Sequence, residues 1–197
     1  GAHSAYSTTG FSCLKFLPYT ANPTDLIYNS STNISDAPVI RFGEILLNYA
    51  EALNNLTTVH KVDIDGQSYS FSRDKAEIRW AFNQIRHRAG LPGLTEDELN
   101  DANVVQKLIE QERMVEFMHE NRRYYDVRRW GIYEETEREP IMGMNTDASD
   151  KDAFYQRTMP GSAAIHGRLV DRKLMFVPIP RSELRRLPSL DQNPGWN

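Results

Sequence analysis

Apolar and polar positions alternate with a helical period over residues 36–55, DAPVIRFGEILLNYAEALNN. The apolar face of this segment recurs every three or four residues and comprises Leu46, Tyr49, Ala50 and Leu53. Asp36 can cap the helix, and Pro38 falls in the first turn, where its missing N–H removes no hydrogen bond. The pattern therefore predicts a first helix that begins near Asp36.

A second helix is predicted over residues 74–93, DKAEIRWAFNQIRHRAGLPG, where Gly90 and Pro92 end the periodic segment. Its predicted buried face comprises Ile78, Phe82, Ile85 and Ala89. Between the two helices, alternating residues in KVDIDGQSYSFS flank Asp65-Gly66. This dipeptide favours a two-residue turn, so the segment is predicted to be a small β-hairpin.

Two further helices are predicted, from about residue 103 to 120 and from 121 to 130. Thr95 and Glu98 have the spacing of a capping box. Residues 20–36 and 133–168 are rich in polar residues, Pro and Gly and are predicted to be long loops, with one short helix near 181–187.

Glu112 falls on the apolar face predicted for the third helix, with Val105, Leu108, Ile109 and Val115. A carboxylate withdrawn from water needs a cationic partner, and the planar guanidinium of arginine suits this role. The candidate partners are Arg86, Arg88, Arg113, Arg122 and Arg123. We interpret the cluster as a buried ionic lock between helices rather than as an anion-binding or acid–base site.

The next helix carries charges at pairing distance. Asp126 lies four residues after Arg122 and three before Arg129, so both pairs can form along the helix surface. Trp130 and Trp196 are predicted to be core residues, whereas Trp80 lies off the apolar face of its helix.

Composition excludes several classes. The 197 residues are 40% hydrophobic and carry a net charge of −4, which offers no global attraction to nucleic acid. A single cysteine, Cys13, excludes an intrachain disulfide framework and a multi-cysteine zinc site. No run of 18 apolar residues spans a membrane, and the first residues lack the apolar run of a signal peptide. We expect the chain to be a piece of something larger.

Four segments resemble motifs of the SusD/RagB family. ERMVEFMHENRRYYDVRRWG is similar to its ERRxELxxEGxRxxDLxRWG signature, and RFGEILLNYAEALN to its RyAEvlLnyAEA segment. NQIRHRAGLPG resembles NxIRxRAGLP, and FVPIPRSELRRLPSLDQNPGW resembles FPIPxxEixxNpxlxQNPGY. Gly43 stands where the family has Ala, and Asn121 where it has Gly.

The resemblance implies a mainly α fold: a TPR-like helical scaffold with long loops and a small β-hairpin. Family members are more than twice this length, so residues 1–197 are expected to form a single domain matching the C-terminal part. The resemblance also implies a lipoprotein on the extracellular face of the outer membrane of Bacteroidetes-type bacteria. Such a protein binds glycans without catalysis or cofactor and delivers them to a TonB-dependent SusC-like transporter. Membrane contact would come only from a lipid anchor outside this chain.

The family motifs matched above do not include ligand-binding residues, so the candidate ligand-binding residues are chosen by the chemistry of their side chains. Sugars are recognised by aromatic faces together with a few hydrogen-bonding groups. The first long loop offers Tyr19, Asp25, Tyr28 and Asn29, the hairpin offers Tyr69, and the second long loop offers Phe154, Tyr155 and His166.

Two alternative functions stay open: a TPR-like protein-docking or peptide-binding module, and a helical glycoside hydrolase. Hydrolysis needs two carboxyl groups facing each other across a cleft, whereas most acids here have arginine neighbours in sequence. A calcium loop formed by Asn145, Asp147, Asp150 and Asp152 is a further possibility, although it lacks the terminal Glu of an EF-hand. His119 has no second histidine at metal-ligand spacing.

Overall fold

The computed structural model describes residues 7–11, 13, 15, 38–161 and 168–196. Its elements in chain order are α1 (Phe42–Asn54), β1 (His60–Ile64), β2 (Gln67–Phe71), α2 (Lys75–Arg88), α3 (Glu96–Asn100), α4 (Ala102–Glu116), α5 (Arg122–Arg129), α6 (Tyr133–Arg138), β3 (Gly143–Met144), α7 (Lys151–Phe154), β4 (Arg157–Thr158), a 3-10 helix (Arg172–Met175) and α8 (Arg181–Arg186). The mainly α fold class with a small hairpin is confirmed.

The chain divides into two compact units, which are described separately. The first unit is Phe16–Arg123, and the second combines Gly1–Lys15 with Tyr124–Asn197. A single domain over residues 1–197 stays a prediction. The predicted loop at 20–36 and the predicted cap Asp36 lie outside the described residues.

Helices α1, α2 and α4 surround the core of the first unit, with α3 closing one side. The core comprises Leu46, Leu47, Ala50, Ile78, Ala81, Phe82, Ile85, Leu94, Leu99, Val105, Ile109 and Phe117. Burying each of the larger aliphatic and aromatic side chains in this core contributes about 1.5–3 kcal/mol to the free energy of unfolding. The packing of α1, α2 and α4 around this core therefore provides most of the stability of the first unit.

The predicted start of α1 is wrong. The helix begins at Phe42, and residues 38–40 form a bend that exposes Val39 and Ile40. Arg41 has an extended backbone, with φ −138° and ψ 160°, so it does not continue the helix. Its side chain bonds Glu116 of α4. Tyr49, predicted to be on the apolar face, is 40% exposed.

Two other predicted core positions are also wrong. Ala89 follows the last residue of α2 and is exposed. Val115 is 58% exposed because six residues beyond the buried Ile109 the helix has turned to about 240° from it. Both errors arise at helix ends, where the recurrence of apolar residues every three or four positions no longer predicts which side chains are buried.

The hairpin prediction is confirmed. Ile64 pairs with Gln67 across the turn, and Asp65 and Gly66 have φ of 53° and 79°. Two left-handed residues in succession are what a type I′ turn requires, and Asp and Gly tolerate them.

The capping box at Thr95 and Glu98 is confirmed, but it opens the separate short helix α3. Asp101 caps α4, which ends at Glu116 rather than at 120. The following turn contains Asn121 with φ 60°. Asn is among the few side chains that adopt this conformation readily, which explains how it replaces the family's Gly here.

In the second unit, Val127 and Tyr133 are buried. The segment predicted to be an irregular loop after residue 133 is partly regular, with α6, α7 and the antiparallel pair β3–β4. The short C-terminal helix is confirmed as α8. Trp130 and Trp196, predicted to be core residues, are only half-buried. None of the helices in the described part is long and apolar enough to cross a bilayer.

Candidate functional site

The hairpin β1–β2 presents one apolar face to solvent. Strand alternation and the observed register place three cross-strand pairs on this face: His60 with Phe71, Val62 with Tyr69, and Ile64 with Gln67. The opposite face is polar and carries Lys61, Asp63, Ser68 and Ser70. All ten strand residues are exposed. We call the first of these surfaces the hairpin face.

Two aromatic rings form the centre of the hairpin face. The rings of Tyr69 and Phe71 are nearly parallel, with an interplanar angle of 12° and centroids 6.3 Å apart. They are 39% and 44% exposed. On the polar side, the Ser68 hydroxyl donates a hydrogen bond to Asp63. The aromatic pair shares its face with Gln67, whose side chain can bond hydroxyls, so the hairpin face has both kinds of group that sugar recognition requires.

Tyr155 lies in the second unit, directly after α7, and is exposed. Its ring meets Phe154 edge to face, at 5.4 Å between centroids and an interplanar angle of 78°. Tyr69 belongs to the first unit, so each tyrosine is described within its own unit. A ligand-binding role for either residue stays a prediction.

The other predicted ligand-binding residues, Tyr19, Asp25, Tyr28 and Asn29, lie outside the described residues, as does His166.

Arg41 is the centre of an ionic cluster between α1 and α4. Its Nε donates to both carboxylate oxygens of Glu120, at 3.1 and 2.9 Å. Its Nη1 donates to Glu116 Oε1 at 2.5 Å, Nη2 donates to the Glu116 carbonyl at 2.7 Å, and the guanidinium lies 4.7 Å from the centroid of the Phe117 ring. Burial lowers the pKa of Arg41, but the bonds to Glu120 and Glu116 outweigh it and raise the pKa above its ordinary value.

The predicted ionic lock at Glu112 is confirmed. Glu112 is buried, and Arg86 of α2 donates to its Oε2 at 3.1 Å. Arg88 pairs with Glu116 at 2.6 Å, and Arg122 pairs with Glu44 of α1 at 2.8 Å. These contacts tie α4 to α2, and the start of α5 to α1. The cluster therefore holds the scaffold of the first unit.

In the second unit, the predicted pair between Asp126 and Arg129 is confirmed at 2.9 Å. Arg128 lies against two rings, 3.6 Å from the centroid of Tyr124 and 4.5 Å from that of Tyr133. Its Nη2 also donates to the Leu174 carbonyl at 3.0 Å. The charged residues of α5 therefore stabilise the second unit through ion pairs, hydrogen bonds and contacts with aromatic rings.

Several acids serve local structure. Asp150 caps α7, and Asn145 accepts a hydrogen bond from the N–H of Asp147. Over the described ranges, no group of three or more His, Cys, Asp or Glu is placed to hold a metal ion. Bonds from the N–H and hydroxyl of Thr95 lower the pKa of the Glu98 carboxyl.

The sequence analysis placed Trp80 off the apolar face of its helix but missed the exposed apolar side of α1. Phe42, Ile45 and Tyr49 lie on one side of α1, and all three are exposed, opposite the side that enters the core. The hydroxyl of Tyr49 donates to Glu77 of α2 at 3.3 Å, and the exposed Trp80 follows one turn later. Partial burial, followed by the charge of Glu77, raises the pKa of Tyr49. The spacing of residues 42, 45 and 49 was the available signal. We call these four residues the α1 outer face: Phe42, Ile45, Tyr49 and Trp80.

Comparisons with a family sequence model and with solved structures both find similarity to SusD-like proteins. The sequence model of the SusD family matches residues 1–196. Among solved structures, a SusD-like protein from Bacteroides fragilis NCTC 9343 matches with 30% identity and a TM-score of 0.60. The match covers 84% of this chain and 26% of that protein, so the chain spans about a quarter of its length. A search of curated proteins found no match.

Proposed function

The chain belongs to the SusD family, and we propose that it supplies a non-catalytic glycan-binding surface for nutrient uptake. In this proposal the protein is held by a lipid anchor at the extracellular face of the outer membrane. It binds oligosaccharides there and passes them to a TonB-dependent SusC-like transporter.

The hairpin face carries this proposal. A two-stranded hairpin has little stability alone, so a hairpin that keeps Val62, Tyr69 and Phe71 exposed forgoes burial that would stabilise it. Exposed aromatic rings offer their faces to the C–H groups of a sugar, while Gln67 at the end of the hairpin face can bond hydroxyls. The surface therefore has the chemistry that a glycan requires.

The ion pairs favour binding over hydrolysis. A glycoside hydrolase needs one carboxylic acid and one carboxylate facing each other across a sugar-sized cleft. The buried acids Glu112 and Asp126 and the largely buried Glu116 are each bonded to an arginine, which keeps them in the scaffold. These carboxylates are therefore poor candidates for acid–base catalysis.

Tyr69→Ala is expected to weaken, about tenfold, the binding of a glycan that the wild-type chain binds, because aromatic stacking contributes about 0.5–1.5 kcal/mol beyond the area it buries. Phe71→Ala should have a similar effect. Calorimetric titration with the retained oligosaccharide measures both. Ser70→Ala, on the polar side of the same hairpin, is the matched control and should bind as the wild type does. Unchanged affinity in both aromatic variants would remove the hairpin face from the site.

A docking role is the second candidate, and the α1 outer face supports it. Trp and Tyr dominate the energetics of protein interfaces, and contiguous exposed apolar residues mark interaction surfaces. Helical-hairpin scaffolds bury such faces by stacking one pair of helices on the next. The α1–α2 pair, with Trp80 and Tyr49 at one side, offers a surface of that kind.

Ile45→Glu tests the docking role. We expect the wild-type chain to bind an apolar dye and to associate reversibly in light scattering, because the α1 outer face is open. The glutamate should reduce both signals by placing a charge in the middle of that face. Asn103→Glu, which adds the same charge at an exposed position of α4, should leave them unchanged. A strictly monomeric wild type without dye binding would argue against this second role.

A further inference from the structure

A pocket of about 510 Å³ lies within the second unit, between the 3-10 helix and the chain at Pro194 and Gly195. Its lining residues are Asp171, Arg172, Lys173, Phe176, Pro194 and Gly195. None of them belongs to the hairpin face or to the α1 outer face.

Hydrogen bonds hold the two sides of this pocket together. The Nε1 of Trp196 donates to the carbonyls of Lys173 and Phe176, at 3.0 Å each. Gln192 bonds both backbone groups of Ile179, at 2.7 and 2.9 Å. Because the walls are fixed before any ligand arrives, binding requires little ordering of the protein, which favours affinity.

Gly195 allows the walls to approach closely. It has a φ of +84°, and a Cβ at this position would lie 2.7 Å from the Cβ of Lys173. Only glycine fits both the backbone conformation and the space. The shape of the pocket therefore depends on this contact.

The pocket is cationic. Arg172 is exposed, and its guanidinium has no ion pair or hydrogen bond to any residue in the described part of the chain. Lys173 pairs only loosely with Asp171, at 3.9 Å, and its ammonium lies 5.2 Å from the centroid of the Trp196 ring. Two cations face one carboxylate, so the lining has a net charge of +1.

The same pocket has an apolar side. Phe176 is 52% exposed, and Pro194 is exposed beside it. An aromatic ring and a proline ring can pack against the C–H groups of a pyranose. A guanidinium can bind a carboxylate through two parallel hydrogen bonds. Together these groups fit a sugar that carries a carboxylate.

We propose that the pocket at Arg172 and Phe176 binds a uronate unit of an acidic glycan. Arg172 bonds the sugar carboxylate, and Phe176 and Pro194 pack against the ring. This inference rests on the proposed glycan-binding function and narrows its substrate class to acidic polysaccharides.

The test is calorimetric titration of the whole chain with oligogalacturonate and oligoglucuronate, each compared with its methyl ester. Esterification removes the charge and leaves the sugar ring in place. We expect the esters to bind at least about tenfold more weakly, because a hydrogen bond between ionised groups is lost. Arg172→Gln should weaken binding of the acids by a similar factor and leave the esters unaffected. Arg185→Gln, at an exposed position of α8, is the matched control.

Equal binding of acid and ester, or an Arg172→Gln variant that binds the acids as the wild type does, would overturn the pocket assignment. If neutral glycans still bind in a manner that depends on Tyr69, the general function stands and only this inference fails. If no glycan of either kind binds, both fail.

Discussion

Replacing Arg41 with alanine is expected to lower the free energy of unfolding by about 2–4 kcal/mol, which is below the full range for removing one partner of a buried ion pair because Glu116 keeps its pair with Arg88. The guanidinium is shared by Glu116 and Glu120, whose side chains are only 10% and 5% exposed. It also lies over the ring of Phe117. The substitution therefore takes a common cation from two carboxylates that have little access to water. Urea unfolding followed by circular dichroism measures the change.

Arg88→Ala is the control for this prediction. Arg88 also pairs with Glu116, but its side chain is 61% exposed, so its loss should cost less than about 1 kcal/mol. If the two variants unfold at the same urea concentration, the ionic centre at Arg41 does not stabilise the first unit.

Glu112→Ala is expected to lower the free energy of unfolding by about 2–4 kcal/mol. The value falls below the full buried-pair range because the partner, Arg86, is 27% exposed and regains some hydration. Arg86 also donates from Nε to the carbonyl of Pro92 at 3.0 Å, so its loss of orientation loosens the loop after α2. Thermal and urea unfolding of the variant measure the effect.

Glu110→Ala provides the comparison on the same helix. Glu110 accepts from Lys107 at 3.1 Å, but Lys107 is largely exposed, and we expect a change below about 1 kcal/mol. An unchanged melting curve for Glu112→Ala would contradict the ionic lock.

Local signals in the sequence predicted local structure correctly. The hairpin turn at Asp65-Gly66 and the capping box at Thr95 and Glu98 each depend on residues within a few positions of one another. Their chemistry is complete in the segment itself, so tertiary context changed neither. Helix α2 was predicted for the same reason, although its cap, Asp74, was identified only in the structure.

Long-range pairing could not be predicted from spacing. Arg41 bonds residues 75 and 79 positions away, so it was absent from the candidate partners considered for the acidic cluster. The same contact explains the late start of α1, because an extended Arg41 reaches α4 and a helical one continues the turn. The ion pair of Arg41 with Glu116 therefore accounts for a helix that begins at Phe42, although the sequence around Pro38 favours an earlier start.

The candidate site was predictable only in part. Alternation in the hairpin showed that Tyr69 and Phe71 share a face, but an alternating pattern does not say whether that face is covered. Exposure of the hairpin face and of the α1 outer face depends on which elements pack nearby. The pocket at Arg172 forms between residues about 20 positions apart and left no pattern in the sequence.

Affinity electrophoresis of the chain through gels containing plant, host and microbial polysaccharides tests the central claim most directly. The proposal predicts that at least one polysaccharide retards the wild-type chain, that Tyr69→Ala reduces the retardation, and that no reducing sugar is released. A chain that migrates freely through every polysaccharide, or that releases reducing sugar from the one that retains it, would contradict the proposed function.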